Sequence, residues 1–368
     1  MKIAAVNIFQ YDAAIKGKPY RMSNTVLDRF DTTIVEVITD TGITGYGETC
    51  PVGPVYQPHH ALGARAALQQ MGPALIGLPA LETATVYTAM NRALNGHAYA
   101  KAAVDIAIWD IRGKAYNARI CDLLGGAVRE KVPSYYSIGA CPLDEAVEIA
   151  REKTAEGYPR IQVKLGGRPF EEDIQVLRRV AEALPPGVRL AADANRGWTT
   201  RDAILVSEAC ADIPMVLEQP CDTYDETLSL RGRVRHPIFL DENTEDLRWV
   251  LKSIHDGVAD GFGFKVTRLG GISCMQIVRN VCTTMNRPMT CDDAWGGDII
   301  AAACVHLGAT VPERLCEGVW LAAPYNREHY DPENGIKIDN GHIDLPKGPG
   351  LGIRPDRTIW GSPVMEFG

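Results

Sequence analysis

The sequence contains no apolar run near the roughly 20 residues that a membrane-spanning helix needs, because charge or glycine interrupts each one well short of that length. It has no basic surplus either. With 38 Lys+Arg against 46 Asp+Glu the net charge is −8, which argues against general binding to nucleic acid or an anionic membrane. Paired cysteines are missing: the ten are scattered and none forms a C-x-x-C pair, so in a chain of 368 residues they read as reduced thiols. The opening MKIAAVNIFQYD reaches Gln10 and Asp12 too soon for a secretory core, and a cytoplasmic protein is expected. A glycine-rich phosphate loop is absent too. Gly261-Phe262-Gly263 and Gly348-Pro349-Gly350 lack the helix that must follow, which disfavours an open doubly wound sheet.

What is present falls into two textures. Residues 2–11 and 31–40 alternate as strands do, and Thr39-Asp40-Thr41-Gly42 supplies a turn before a third strand over 43–49. Helical patterns follow around 59–73, 81–94 and 98–117, and Leu124-Gly125-Gly126 stops them. This is an α+β unit, bounded at 1–127. After residue 130, short β-rich runs end in a polar residue and give way to 10–15 residues of helical pattern. The runs are 134–138, 161–165, 189–193, 215–218, 238–241, 262–266, 289–292 and 314–317. The markers Lys164, Asp193, Glu218, Asp241, Lys265, Asp292 and Glu317 follow at intervals of 29, 25, 23, 24, 27 and 25 residues. One strand, one return helix and two loops fill that length, and eight such units imply a (β/α)₈ barrel over 128–320 within the α/β class. The tail, 321–368, is expected to run back onto the first domain and complete it.

Charged residues at the C-terminal ends of barrel strands point into the mouth, where active sites of this architecture lie. Strands three, four and five end in Asp193, Glu218 and Asp241. Three converging carboxylates repel one another unless a cation lies between them, and an all-oxygen set favours Mg²⁺ or Mn²⁺ over zinc. Lys164 and Lys265 end strands two and six, on opposite sides of an eight-membered ring and each within an apolar stretch. Desolvation and a neighbouring cation are expected to lower their pKa values and suit them to proton transfer. A salt bridge without chemistry is the bland alternative for either lysine.

The order Lys, Asp-Glu-Asp, Lys resembles the enolase superfamily, and its muconate-lactonizing-enzyme-like members more than those of mandelate racemase type. The resemblance covers essentially the whole chain, including AKAAVDIAIWDIRGKAYN. One position departs: where the family has Lys-x-Lys on strand two, this chain reads Gln162-Val163-Lys164. The resemblance implies one Mg²⁺ per active site, held by Asp193, Glu218 and Asp241, and an acid/base pair of Lys164 and Lys265. A lysine on each face of the α-carbon implies 1,1-proton transfer through an enediolate, that is, racemisation or epimerisation.

Substrate choice in that superfamily lies in capping-domain loops and at the ends of strands seven and eight, here KPYRMS (18–23), ETCPVGPVYQP (48–58), TCDDAWGGD (290–298) and EGVWLAAPY (317–325). An aromatic face plus a carboxylate suits a quaternary ammonium, which cannot donate hydrogen bonds. Together the strings are similar to the branch of 4-hydroxyproline betaine 2-epimerases and proline betaine racemases. That likeness implies Tyr56, Asp292, Trp320 and Gln162 as substrate contacts. Asn195, Gln219, Glu242, Asp293 and Trp295 are expected to orient ligands and lysines. The partner is then a small zwitterionic carboxylate, and a homo-oligomer is expected. Hydroxyproline dehydration, dipeptide epimerisation and cycloisomerisation use the same fold and metal. A non-catalytic barrel would not require two lysines and three acids.

Overall fold

A computed structural model describes residues 1–21 and 26–368. Met22 and Ser23, the end of the first expected specificity string, lie outside the described residues. The capping sheet is an antiparallel meander of Ile3–Ala14, Arg29–Thr39 and Thr44–Thr49, with Gly42 supplying the left-handed turn residue (φ +82°). Its free edge is closed by the last strand of the chain, Met365–Phe367, which pairs with the first in the register Val6↔Phe367.

The helix Ala98–Tyr116 lies directly on this sheet, and the sequence explains why it can. Gly45 and Gly47 face Ala103 and Ala107, and a Cβ on Gly47 would sit 1.7 Å from the Ala103 carbonyl oxygen. Only small residues permit such a backbone approach. Val104, Ile108 and Ile111 of this helix join the capping core, whereas Ile106 and Trp109 join the barrel core. One helix thus serves both domains and sets how the cap sits on the barrel mouth.

The second sheet has eight parallel strands in sequential order: Tyr136–Ile138, Arg160–Lys164, Arg189–Asp193, Met215–Glu218, Ile238–Leu240, Gly261–Lys265, Met289–Asp292 and Cys316–Gly318. A Ser134↔Val319 bridge, with Val319 N donating to the Pro133 carbonyl at 2.9 Å, joins its ends and closes the barrel. The tail packs back on the long helix, where Leu351 N donates to Asp110 at 2.9 Å and Gly350 fits against Gly113.

The eighth run starts later than expected. Glu313–Leu315 is a 3₁₀ turn and the strand begins at Cys316. Glu317 is the middle residue of this strand and the extra residue of a bulge, since Met289 pairs with Cys316 and Thr290 with Gly318, and a bulge re-aims the side chain it carries. Glu317 accordingly bonds Arg189 (2.8 Å) and approaches Arg160, the residues that begin strands three and two, and so points away from the mouth. Among the described residues, no helix is long and apolar enough to cross a membrane, and all ten cysteines are free.

Candidate active site

Strand periodicity turns Arg160, Gln162 and Lys164 into the barrel, since side chains two apart share a face. Lys164 Nζ lies 2.5 Å from Asp193 Oδ2, its register partner on strand three. Gln162 Nε2 donates to that same oxygen (2.5 Å) and to Glu218 Oε1 (3.3 Å), which ties two acids together. Arg160 supports Glu218 Oε2 at 3.2 Å, its guanidinium 4.4 Å from the centre of the Tyr135 ring. Strand six has glycine at position 263, where a Cβ would crowd Glu218 Oε1 at 3.0 Å. Its last residue, Lys265, donates to Asp241 Oδ2 at 3.0 Å and lies 3.6 Å from Asp292 Oδ2. The buried Arg268 bonds the other Asp241 oxygen, and Tyr56 donates to Oδ2 at 3.2 Å.

Burial and mutual repulsion shape the electrostatics. Burial, then Asp193, pushes Glu218 up to about 7, and burial with Asp241 and Asp193 pushes Glu242 up to about 8. Asp241 is also buried, but Lys265 and Arg268 outweigh this and hold it well below the usual carboxylate range. The lysines differ from expectation. Burial does press both downward, yet Asp193 beside Lys164, and Asp241 and Asp292 beside Lys265, leave both pKa values raised.

As arranged, the acid oxygens are spent on these cations and amides. Among the described residues, no three Asp, Glu, His or Cys groups stand ready around a single ion. The surrounding donor set still suits a hard cation. Gln162 Oε1, Asn195 Oδ1 and Glu242 Oε2 are buried acceptors without a donor, and all three residues are linked by hydrogen bonds to Asp193 or to Asn195. Three buried acceptor oxygens without donors, beside three carboxylates, match the oxygen-ligand preference of Mg²⁺ and its waters.

Both lysines line one cavity, together with Gln162, Ser137, Asp293 and five aromatic residues: Tyr20, Tyr56, Tyr135, Trp295 and Trp320. Trp295 stacks on Phe30 of the capping sheet at 3.9 Å and meets Trp320 edge-on at 5.4 Å. Among the described residues, Asp293 is the one carboxylate in this lining, and it accepts from Thr267 N, Thr267 Oγ1 and Ala294 N. Asp292, expected to touch the ammonium end, does not line the cavity. It is fully buried, its oxygens taken by Tyr135 (2.8 Å), Thr290 (2.5 Å) and the Trp320 amide (2.6 Å), and it stands behind Lys265. Gln162 reaches the cavity wall while its amide nitrogen is committed to the acids. Gln219 Oε1 accepts from Asp241 N at 3.0 Å, and Asn195 Nδ2 donates to Glu242 at 3.1 Å.

Sequence reasoning missed Tyr20, Tyr135, Ser137, Arg160 and Arg268. Arg160 was within reach, being two residues before Gln162 and four before Lys164 on the same strand face. Tyr135 was not, because which tyrosine of Tyr135-Tyr136 turns inward depends on where the first strand begins.

Residues 4–125 match the mandelate racemase/muconate lactonizing enzyme N-terminal domain family, and residues 145–359 match the enolase C-terminal domain-like family. A cis-3-hydroxy-L-proline dehydratase from Roseibium aggregatum is 38% identical over 100% of both chains. A mandelate racemase/muconate lactonizing enzyme-type protein from Silicibacter pomeroyi superposes with a TM-score of 0.94 at 34% identity, covering 100% of this chain and 99% of that one. An enolase superfamily member from Roseovarius nubinhibens, crystallised with magnesium, gives 0.94 at 32% identity with the same coverage. With both domains matched and the strand-end acids and lysines in one barrel mouth, the chain belongs to the mandelate racemase/muconate lactonizing enzyme family of the enolase superfamily.

Proposed function

We propose that this enzyme inverts C2 of a proline-betaine-type carboxylate, such as proline betaine or 4-hydroxyproline betaine, by removing a proton on one face and returning one on the other. The observation that carries the reading is the presence of Lys164 and Lys265, from opposite strands of the ring, in one cavity whose wall is aromatic. Asp193, Glu218 and Asp241 would hold a divalent cation. When bound, it would fix the substrate carboxylate, offset the charge left as the α-proton departs, and draw Asp193 from Lys164 and Asp241 from Lys265, two of the anions that keep the lysines protonated.

The chain's own residues do the rest. Lys164 and Lys265 exchange protons with C2 from either side. Gln162, Arg160, Tyr56 and Arg268 hold the acids in place. Trp320, Trp295, Tyr20 and Tyr135 face the cationic nitrogen, each cation–π contact contributing about 0.5–2 kcal/mol. A quaternary nitrogen fits such a wall better than a secondary ammonium, whose N–H groups would compete for an Asp293 already supplied with three donors. The test is incubation with Mg²⁺ in D₂O of each enantiomer of both betaines. Deuterium at C2 accompanied by inversion is expected, and no wash-in from either enantiomer contradicts the proposal.

A second reading, dehydration of a 3-hydroxyproline, is favoured by the Roseibium relative. There one lysine would take the α-proton and the 3-hydroxyl would leave. Consumption of cis-3-hydroxy-L-proline with a trappable imine or ketone product, and no reaction with betaines, would select it.

A further inference from the structure

Glu48, the penultimate residue of the third capping strand, takes no part in the chemistry above, yet its carboxylate is wholly buried. Its Oε1 accepts from Gly297 N (2.8 Å), the Tyr330 hydroxyl (2.8 Å) and the Thr32 hydroxyl (3.0 Å), and its Oε2 accepts from Ile300 N (3.1 Å). Burial pushes it up to about 7, although all four donors pull the other way. The donors come from three distant stretches: the capping sheet, the first turn of the helix Asp298–Gly308 that follows strand seven, and the C-terminal segment.

The chain turns directly over this carboxylate. Gly296 has φ +131°, and a Cβ there would lie 2.3 Å from Ile300 Cγ2 and 3.2 Å from Glu48 Oε1, while one on Gly297 would lie 2.2 Å from the Tyr330 ring. The turn that Glu48 fixes carries Trp295, the residue sandwiched between Phe30 and Trp320 in the aromatic wall. We infer that Glu48 is a positioning residue: it registers the capping domain against the Trp295-Gly296-Gly297 turn and so sets the grip on the substrate's cationic nitrogen, leaving proton transfer to the lysines. The inference rests on the proposed betaine-type substrate.

A second buried acid provides the contrast. Asp105, on the long capping helix, accepts from Ser273 N (2.9 Å) and Ser273 Oγ (2.5 Å) at the start of the helix Ile272–Thr284, and a Cβ on Gly271 would lie 2.5 Å from its Oδ2. It joins the same two domains, but the turn it holds, Gly271 to Ser273, carries no residue of the cavity lining, whereas the turn held by Glu48 carries Trp295.

The test uses the full-length enzyme with Mg²⁺. In Glu48→Gln the amide can serve the donors at one oxygen but opposes those at the other, and a buried donor left unmet weakens the turn. KM for proline betaine should rise about tenfold with kcat within about twofold, while Tyr330→Phe should raise KM about threefold. Asp105→Asn should lower Tm and leave KM in place. An unchanged KM in Glu48→Gln, a loss confined to kcat, or an equal rise in Asp105→Asn overturns the inference. If Glu48→Gln does not fold, Tyr330→Phe decides. If wild-type enzyme turns over no betaine, the proposed reaction has failed rather than this role, and tetramethylammonium replaces the substrate. Its Kd should then weaken about tenfold in Glu48→Gln, or threefold in Tyr330→Phe. Failure of tetramethylammonium to bind wild type, or equal binding by the variant, overturns the inference as well.

Discussion

In the floor of the site, Lys164 and Lys265 line the cavity and the buried Asp193, Glu218 and Asp241 lie behind them. The five come from consecutive strands of one parallel sheet, with Lys164 on Asp193 and Lys265 on Asp241 across neighbouring strands. The wall is assembled differently. Tyr20 and Tyr56 come from the capping domain, Tyr135 from the approach to the first strand, and Trp295 and Trp320 from beyond strands seven and eight. Backbone register sets the floor, to which the cap adds the Tyr56 hydroxyl on Asp241. Packing between domains sets the wall, through contacts such as Trp295 on Phe30 and Glu48 under Gly297. Chemistry and recognition can therefore fail separately.

That separation can be broken experimentally, and the largest effect belongs to the floor. Lys164→Ala or Lys265→Ala should lower the rate of betaine inversion at least about 10³-fold, followed by polarimetry, without weakening substrate binding to match. Next comes the metal. Magnesium at about 100 times its dissociation constant should stabilise wild type by about 2.7 kcal/mol, read as a rise in Tm that EDTA reverses, and Asp193→Asn should lose most of that rise. The wall should behave in the opposite way. Trp320→Ala is expected to raise KM for proline betaine about 10- to 30-fold with kcat changed less than about threefold, because the lost contact is made equally before and during reaction. The smallest effect sharpens the boundary between the regions. Tyr135→Phe removes one donor from Asp292, behind Lys265, and should cost about 0.5–1.5 kcal/mol, seen as a several-fold fall in kcat.

The floor was legible in the sequence because each marker closes its own strand, and the interval between markers depends only on the length of one strand and one helix. Where that local rule slipped, so did the reading. Glu317 shares the interval but sits at a bulge in the middle of its strand and faces the opposite end of the barrel. Asp292 keeps its register beside Lys265, but its partner Tyr135 arrives only through closure of the ring and Trp320 only from beyond the adjoining strand eight, which no local pattern reveals. The lysine pKa values went the other way for a related reason: the apolar neighbours are visible along the chain, and the carboxylates across the strand are not. Glu48 stands within a string singled out for substrate choice, but two of its donors are the amides of Gly297 and Ile300, far along the chain. A glycine pair after Trp295 was the one sequence sign of how closely the backbone passes there.

The central claim is that the two lysines address opposite faces of one carbon. It is tested most directly by following deuterium incorporation at C2, by NMR in D₂O, from each enantiomer of proline betaine with each single-lysine variant. Lys164→Ala should exchange only one enantiomer, Lys265→Ala only the other, and neither should interconvert them. Both variants exchanging the same enantiomer, or both exchanging neither while still binding Mg²⁺ and substrate, would contradict it.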